Sequence, residues 1–271
     1  MADFARILLT GLLEAATVFL NDWFDFDSDR RNRNAGPFTG GSRVLVDGRL
    51  DRAAMRKGIG LAILGAAAAL IALLAAAPAG TATAITALYA IFALLAMAYT
   101  VPPLKLSHRG FGELNVALTH SAGAIMAGYL VQGGGWMDSA PWLLALPLGV
   151  SVLPSILLAG CPDRAADEAA GKRTLVVRLG KRGAVRLAMA ASLAAPAIAA
   201  LLALAKEDMA ALLGWSAAGG ALHAVWLLRR LRRFTAGEMP ERIDGAIVLA
   251  LTFILWFCVP PLIILNRASG S

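Results

Sequence analysis

Asn21-Asp22-Trp23-Phe24-Asp25-Phe26-Asp27-Ser28-Asp29, followed at once by Arg30 and Arg31, closes an apolar run that extends from Phe4 to Leu20. If the helix of that run continues through it, Asn21, Asp25 and Asp29 recur every four residues. Asp22 then joins them within an arc of roughly 100°. Trp23 and Asp27 point elsewhere, and Asp27 reads as solvated. Carboxylates stacked at this spacing repel one another, and at the edge of a membrane they are costlier still. A cation is expected among them, and hard divalent ions take oxygen ligands.

The rest of the chain sets that cluster in a membrane. Hydrophobic residues make up 58% of the 271 and charged residues 16%, against about 25% charged in a soluble domain. The mean hydropathy is +0.67. Apolar blocks close to 20 residues long, the bilayer-spanning length, predict an all-α polytopic helix bundle. About eight spans are expected, near 4–21, 59–77, 82–101, 113–131, 141–160, 184–204, 208–228 and 243–265. The first of these lacks a basic flank and a small-residue cleavage site, so it does not read as a cleavable signal.

The loops alternate in character. Long basic loops at 22–58, 102–112, 161–183 and 229–242, with Arg186 just beyond, hold 22 of the 25 Lys and Arg residues. By the positive-inside bias these loops are cytoplasmic and both termini lie outside. The net charge of +7 is thus a topology signal and implies no nucleic acid partner. Arg229, Arg230, Arg232 and Arg233 suit anionic lipid headgroups. Cys161 and Cys258 form no disulfide framework or zinc pattern.

The acidic motif has an echo. The fifth span runs into Asp163-Arg164-Ala165-Ala166-Asp167-Glu168, then Gly171-Lys172-Arg173-Thr174. Asp163 and Asp167 lie one helical turn apart and share a face, whereas Glu168 reads as solvated. Two helices, far apart in sequence, thus each carry carboxylates to the cytoplasmic interface ahead of a cationic loop, as in membrane proteins whose site lies between two halves. Together the carboxylates suit Mg²⁺ or Mn²⁺, which complete their shells with substrate phosphate oxygens. Arg30, Arg31, Lys105, Arg164, Lys172 and Arg173 are the candidates for holding that phosphate. A metal-bridged diphosphate is a good leaving group, and an allylic cation left behind needs an apolar, water-poor chamber.

These motifs resemble the UbiA superfamily of intramembrane prenyltransferases: Asn21-Asp22-x-x-Asp25-x-x-x-Asp29, Asp163-x-x-x-Asp167 ahead of Gly171-Lys172-Arg173-Thr174-Leu175, and Tyr99-Thr-Val-Pro-Pro-Leu-Lys105 continuing to Glu113. Pro37-Phe-Thr-Gly-Gly-Ser-Arg-Val-Leu is most similar to the 1,4-dihydroxy-2-naphthoate prenyltransferase branch. The resemblance implies one prenyltransferase domain over 1–271 and two Mg²⁺ ions. Asn21, Asp25, Asp29, Asp163 and Asp167 would be metal ligands, with Asp22 a ligand or an orienting group. Lys105, Arg164, Lys172 and Arg173 would hold diphosphate, and Tyr99 would line the site near the leaving group. Asp25, Asp163, Lys105 and Tyr99 are the expected catalytic set.

The partners so implied are a prenyl diphosphate, a lipophilic or aromatic quinone precursor and membrane lipid, in the bacterial inner membrane. Members of the family usually have nine membrane helices with the first Asp motif on the second, so a counterpart of the first helix is expected to be missing here. Leu158-Ala159-Gly160-Cys161 stands where relatives carry polar residues. The alternatives are transfer to haem, chlorophyll, ether lipid or polyprenyl-phosphate pentose acceptors, a transporter-like protein, or a non-catalytic relative. His108 reads as a loop residue, His120 and His223 as packed side chains, and Glu113 as a helix-start acid.

Overall fold

The computed structural model of the chain describes residues 2–237 and 240–269. Its helices are α1 Ala2–Phe24, α2 Phe26–Arg31, α3 Arg52–Ala76, α4 Ala82–Thr100, α5 Gly112–Leu118, α6 Ala124–Val131, α7 Ser139–Ala169, α8 Leu175–Ala205, α9 Glu207–Ala236 and α10 Asp244–Ser269. A π turn, Thr119–Gly123, links α5 to α6. Among the described residues there is no β-strand, only an isolated bridge between Gly36 and Thr39.

Seven stretches are long and apolar enough to cross a bilayer: α3, α4, the run Gly112–Val131, and α7 to α10. The hydropathy reading expects eight. The stretch 4–21 lies in α1, a 23-residue helix with Arg6, Glu14 and Asp22 along its length, and it is not among the seven.

The bundle has two unlike halves. In the first, α1, α3, α4 and α6 share a core around Leu9, Leu73, Ile85, Tyr89, Met126 and Leu130. In the second, α7 to α10 share two cores, one around Leu157, Val185, Leu227 and Ile247 and the other around Leu148, Met209, Leu213 and Phe253. Ala184, Ala188, Ala191, Ala195 and Ala199 recur at helical spacing on α8, and all are buried. Small residues on one stripe let backbones approach closely, and α8 packs against both α7 and α9.

The stretches 161–183 and 229–242, expected as long loops, are mostly helical, with α7 running to Ala169, α8 starting at Leu175 and α9 running to Ala236; the connections after α2, α4, α7 and α9 meet at one end. Asn32 and Gly40 bond to Asp163 at the end of α7, and Gly36 lies against Arg242 and Asp244 at the start of α10. Arg173 N–H donates to the His108 carbonyl at 2.8 Å, and Arg178 donates to the Arg109 carbonyl. Arg52, at the start of α3, sits 5.0 Å over the Trp23 ring and 5.1 Å over Phe26, which pins α3 to the α1–α2 junction.

Candidate active site

The first acidic motif is not one continuous helix. α1 stops at Phe24, Asp25 takes a non-helical conformation (φ −95°, ψ 4°), and α2 restarts at Phe26. The four-residue spacing survives the break, because Asp25 N–H still donates to the Asn21 carbonyl at 2.8 Å and Asp29 N–H to the Asp25 carbonyl at 2.9 Å. Asp22, Asp25 and Asp29 are all buried.

The second motif is held by its helix ends. α7 stops at Ala169, and Gly171 then adopts φ +77°, a conformation that glycine takes without Cβ strain. Three residues on, the Thr174 hydroxyl accepts from Val177 N–H at 3.2 Å and caps α8. The Glu113 carboxylate accepts from Leu175 N–H at 2.9 Å, so this acid serves the start of α8 rather than only that of its own helix. Fixed at both ends, the loop 170–174 points Lys172 inward.

Lys172 joins the two motifs. Its Nζ lies 2.9 Å from Asp25 Oδ2 and 3.2 Å from Asp167 Oδ1, with the side chain only 7% exposed. Burial alone would lower its pKa, but Asp25 and Asp167 outweigh that and hold it above the ordinary lysine value; it is a fixed ammonium. Burial likewise works to raise Asp25. The hydrogen bond to His108 and the charge of Lys172 prevail and keep this carboxyl below its ordinary value. Asp29 has no such bond. Burial, opposed by Lys172 and reinforced by Asp25, Asp22 and Asp163, pushes it up to about 7. The pocket thus carries more negative charge than its one lysine neutralises.

Around this centre stand groups assigned no such place from sequence. His108, read there as a loop residue, puts Nε2 3.0 Å from Asp25 Oδ1. Asn32 Nδ2 donates to Asp163 Oδ1 at 2.7 Å and Gly40 N–H to Asp163 Oδ2 at 3.1 Å. Ser42 donates to Asp22 through both its N–H and its hydroxyl. Gly40 (φ +80°) and Gly41 (φ +68°) let the loop lie this close, since a Cβ on Gly41 would fall 2.5 Å from Asp29 Oδ2. The signals were present: Gly40 to Ser42 lie in the family-like stretch 37–45, and His108 in the stretch 99–113.

Other expected phosphate-binding residues stand apart. Arg30 pairs with Asp27 on the surface, and Arg164 pairs with Glu168. Arg31 donates to the Ala169 carbonyl at 2.8 Å, tying α2 to the end of α7. Arg173 is exposed. Lys105, at φ 44°, forms no ion pair or side-chain hydrogen bond with either acidic motif. Tyr99 packs against Gly112 and lines the adjoining cavity. His223 is packed as expected, with Nε2 2.9 Å from the Leu249 carbonyl and Nδ1 accepting from Trp256.

The donor set fits a hard divalent ion. All the candidate ligands are oxygens, and Asn21 Oδ1 is buried without a hydrogen-bond partner. Among the described residues no three His, Cys, Asp or Glu side chains already converge as a metal site; Lys172 occupies the space between the motifs.

A cavity of about 700 Å³ opens from this acidic end. One face of α1 lines it with Asn21, Thr17, Glu14, Thr10 and Arg6, and the other walls include Phe92, Tyr99, Asn115 and His120. A second, apolar cavity of about 280 Å³ lies between α1, α3 and α4 and shares Leu13, Thr17, Tyr89 and Ala96 with the first.

Apolar helices of spanning length around a chamber with one acidic end define an integral membrane protein with an internal site. The chain belongs to the UbiA prenyltransferase family, whose sequence profile matches residues 3–243. It is therefore a member of a family of intramembrane prenyltransferases, which act on prenyl diphosphates and lipophilic acceptors and generally use a divalent metal such as Mg²⁺. Comparison with curated proteins and with solved structures gives no match.

Proposed function

We propose that this chain moves a polyprenyl group from prenyl diphosphate to an aromatic quinone precursor, with residues 1–271 forming one prenyltransferase domain. The observation that carries this reading is Lys172, whose ammonium binds carboxylates of both acidic motifs beside the acidic end of the chamber. Asn21, Asp22, Asp25, Asp29, Asp163 and Asp167 would hold Mg²⁺, which when bound neutralises the diphosphate and stabilises the charge that develops on its departure. Lys172 then turns from Asp25 to the diphosphate, and Asn32, Gly40 and Ser42 keep the carboxylates in place. Tyr99 and Phe92 wall a chamber that shields an allylic cation from water. Lys105, Arg30, Arg31, Arg164 and Arg173 sit around the acidic end and draw anionic headgroups to it at longer range. The stretch 37–45 favours a naphthoate acceptor, and the charge distribution of the loops favours the cytoplasmic side of a bacterial inner membrane.

The test is transfer from labelled geranylgeranyl diphosphate to 1,4-dihydroxy-2-naphthoate in membranes holding the chain. Mg²⁺-dependent labelled product is expected. A second reading, a non-catalytic lipid-binding relative, rests on Lys172 standing where an ion would bind. Binding of geranylgeranyl diphosphate with no product from any aromatic acceptor would establish that reading in place of the first.

A further inference from the structure

Away from the chamber, arginines gather on the outside of the second half of the bundle. α8 and α9 form an antiparallel pair closed by Lys206. Equal counts from that turn bring Arg182 level with Arg230 and Arg186 level with Trp226. Ala184, Val185 and Ala188 of α8 share a core with Leu227, Leu231 and Phe234 of α9. At about 100° per residue, Arg182 and Arg186 lie opposite that core on α8, and Arg229, Arg232 and Arg233 lie opposite it on α9. All five are exposed. Neither helix lines either cavity, so the band is separate from the acidic end.

The chain offers these arginines nothing to bind. Other cations on the same side are taken up internally: Arg31 by the Ala169 carbonyl, Arg43 by Asp47, Arg178 by the Arg109 carbonyl and Arg242 by Asp244. Among the described residues, the five side chains make no ion pair, hydrogen bond or ring contact. The acids of α8 and α9 are Glu207 and Asp208, at the opposite end of the pair. Glu241, exposed in the connection before α10, pairs with none of the five. Like charges at helical spacing repel, and an anion among them relieves that. Next to the arginines the same face turns apolar. Leu222 is 74% exposed and Trp226 65%, and Leu187 and Leu193 are exposed on α8. A ligand that covers both levels has an anionic head and apolar chains.

We propose that this outer face of α8 and α9 is a binding site for an anionic phospholipid, one whose phosphodiester has no ammonium beside it. Arg182, Arg186 and Arg229 stand within about one helical turn of one another in depth and take the phosphodiester, since a guanidinium fork matches two phosphate oxygens at once. Arg232 and Arg233, nearer the end of α9, draw the headgroup in at longer range. The acyl chains lie along Leu222, Trp226, Leu187 and Leu193. A zwitterionic lipid brings its own cation among the arginines, and an acidic polypeptide leaves Leu222 and Trp226 uncovered. The bound lipid sets the depth of the α8–α9 pair in the bilayer, whatever reaction the chamber carries out.

The test uses the full chain in maltoside micelles. Dioleoylphosphatidylglycerol and dioleoylphosphatidylcholine are added in equal amounts, and the retained lipids are counted by native mass spectrometry. The wild type is expected to retain phosphatidylglycerol about 10-fold over phosphatidylcholine or better. In the triple variant Arg182→Gln, Arg186→Gln, Arg229→Gln the preference should fall below about 3-fold. A control, Arg49→Gln, Arg56→Gln, Lys57→Gln, removes the same charge from the first half and should keep the preference. A helical circular dichroism spectrum and a single elution peak show that both variants fold. Inorganic phosphate and a polyglutamate peptide should each fail to displace the lipid. Displacement by phosphate makes this a free phosphate site, displacement by the peptide makes it a polypeptide site, and either overturns the proposal. Equal retention of the two lipids by the wild type overturns it as well, as does equal behaviour of the two triple variants.

Discussion

The two halves of the bundle use the same kind of residue to opposite ends. In α7 to α10, alanines on α8 are buried against neighbouring helices and the interior is filled from end to end by two apolar cores. In α1 to α6, Ala96, Ala124 and Ala127 instead line open space, and nearly all of the lining of both cavities comes from this half. A small side chain packs where a neighbouring helix closes on it and leaves a chamber where none does. The second half contributes to the chamber through Asp163 and supports the acidic end through Asp167 and Lys172. One half holds the space, and the other is a rigid block that presents charge to it.

Substitutions can break this contrast. The largest effect is expected at the seam. Asp25→Ala leaves Lys172 buried with half its partners, and stranding one partner of a buried ion pair costs about 3–5 kcal/mol. Chemical denaturation should show that loss, and Mg²⁺-dependent diphosphate release should fall below detection. Next comes Leu227→Ala in the filled half, where the side chain is fully buried, with an expected cost of about 2–5 kcal/mol. Leu13→Ala in the chambered half should cost about 1 kcal/mol, because Leu13 already borders open space. Equal losses would show that the halves pack alike.

Adding atoms should produce the mirror image. Ala195→Leu in the filled half overpacks a site that is 0% exposed and should cost about 1–3 kcal/mol. Ala96→Leu, where the two cavities meet, should change stability by under about 1 kcal/mol while weakening geranylgeranyl diphosphate binding about 10-fold. The smallest effect is expected at Arg30→Ala, an exposed partner of Asp27, within about 0.5 kcal/mol by thermal melting.

Much of this was legible in the chain. Helix positions followed from apolar runs bounded by Gly, Pro and charge, because a bilayer sets their length. Asn21 to Asp29 and Asp163 to Asp167 were visible because a helical repeat is a local property. The loops carried no such repeat. His108 meets Asp25 across 83 positions and Asn32 meets Asp163 across 131, distances at which spacing conveys nothing. Lys172 was legible as a cation near phosphate, but the helix ends that turn it between two carboxylates are set by Gly171 and Thr174 acting together. Arg31 illustrates the converse, since charge type suggested a phosphate ligand and geometry gives it a backbone carbonyl.

The lysine between the motifs also bears on biogenesis. A zinc finger stays unfolded until its ion arrives, because its ligands have nothing else to bind. Here the nascent chain brings its own counter-ion on the turn after α7. Joining of the two acidic motifs is thus compensated by a charge within the chain itself, and their packing requires no added ion.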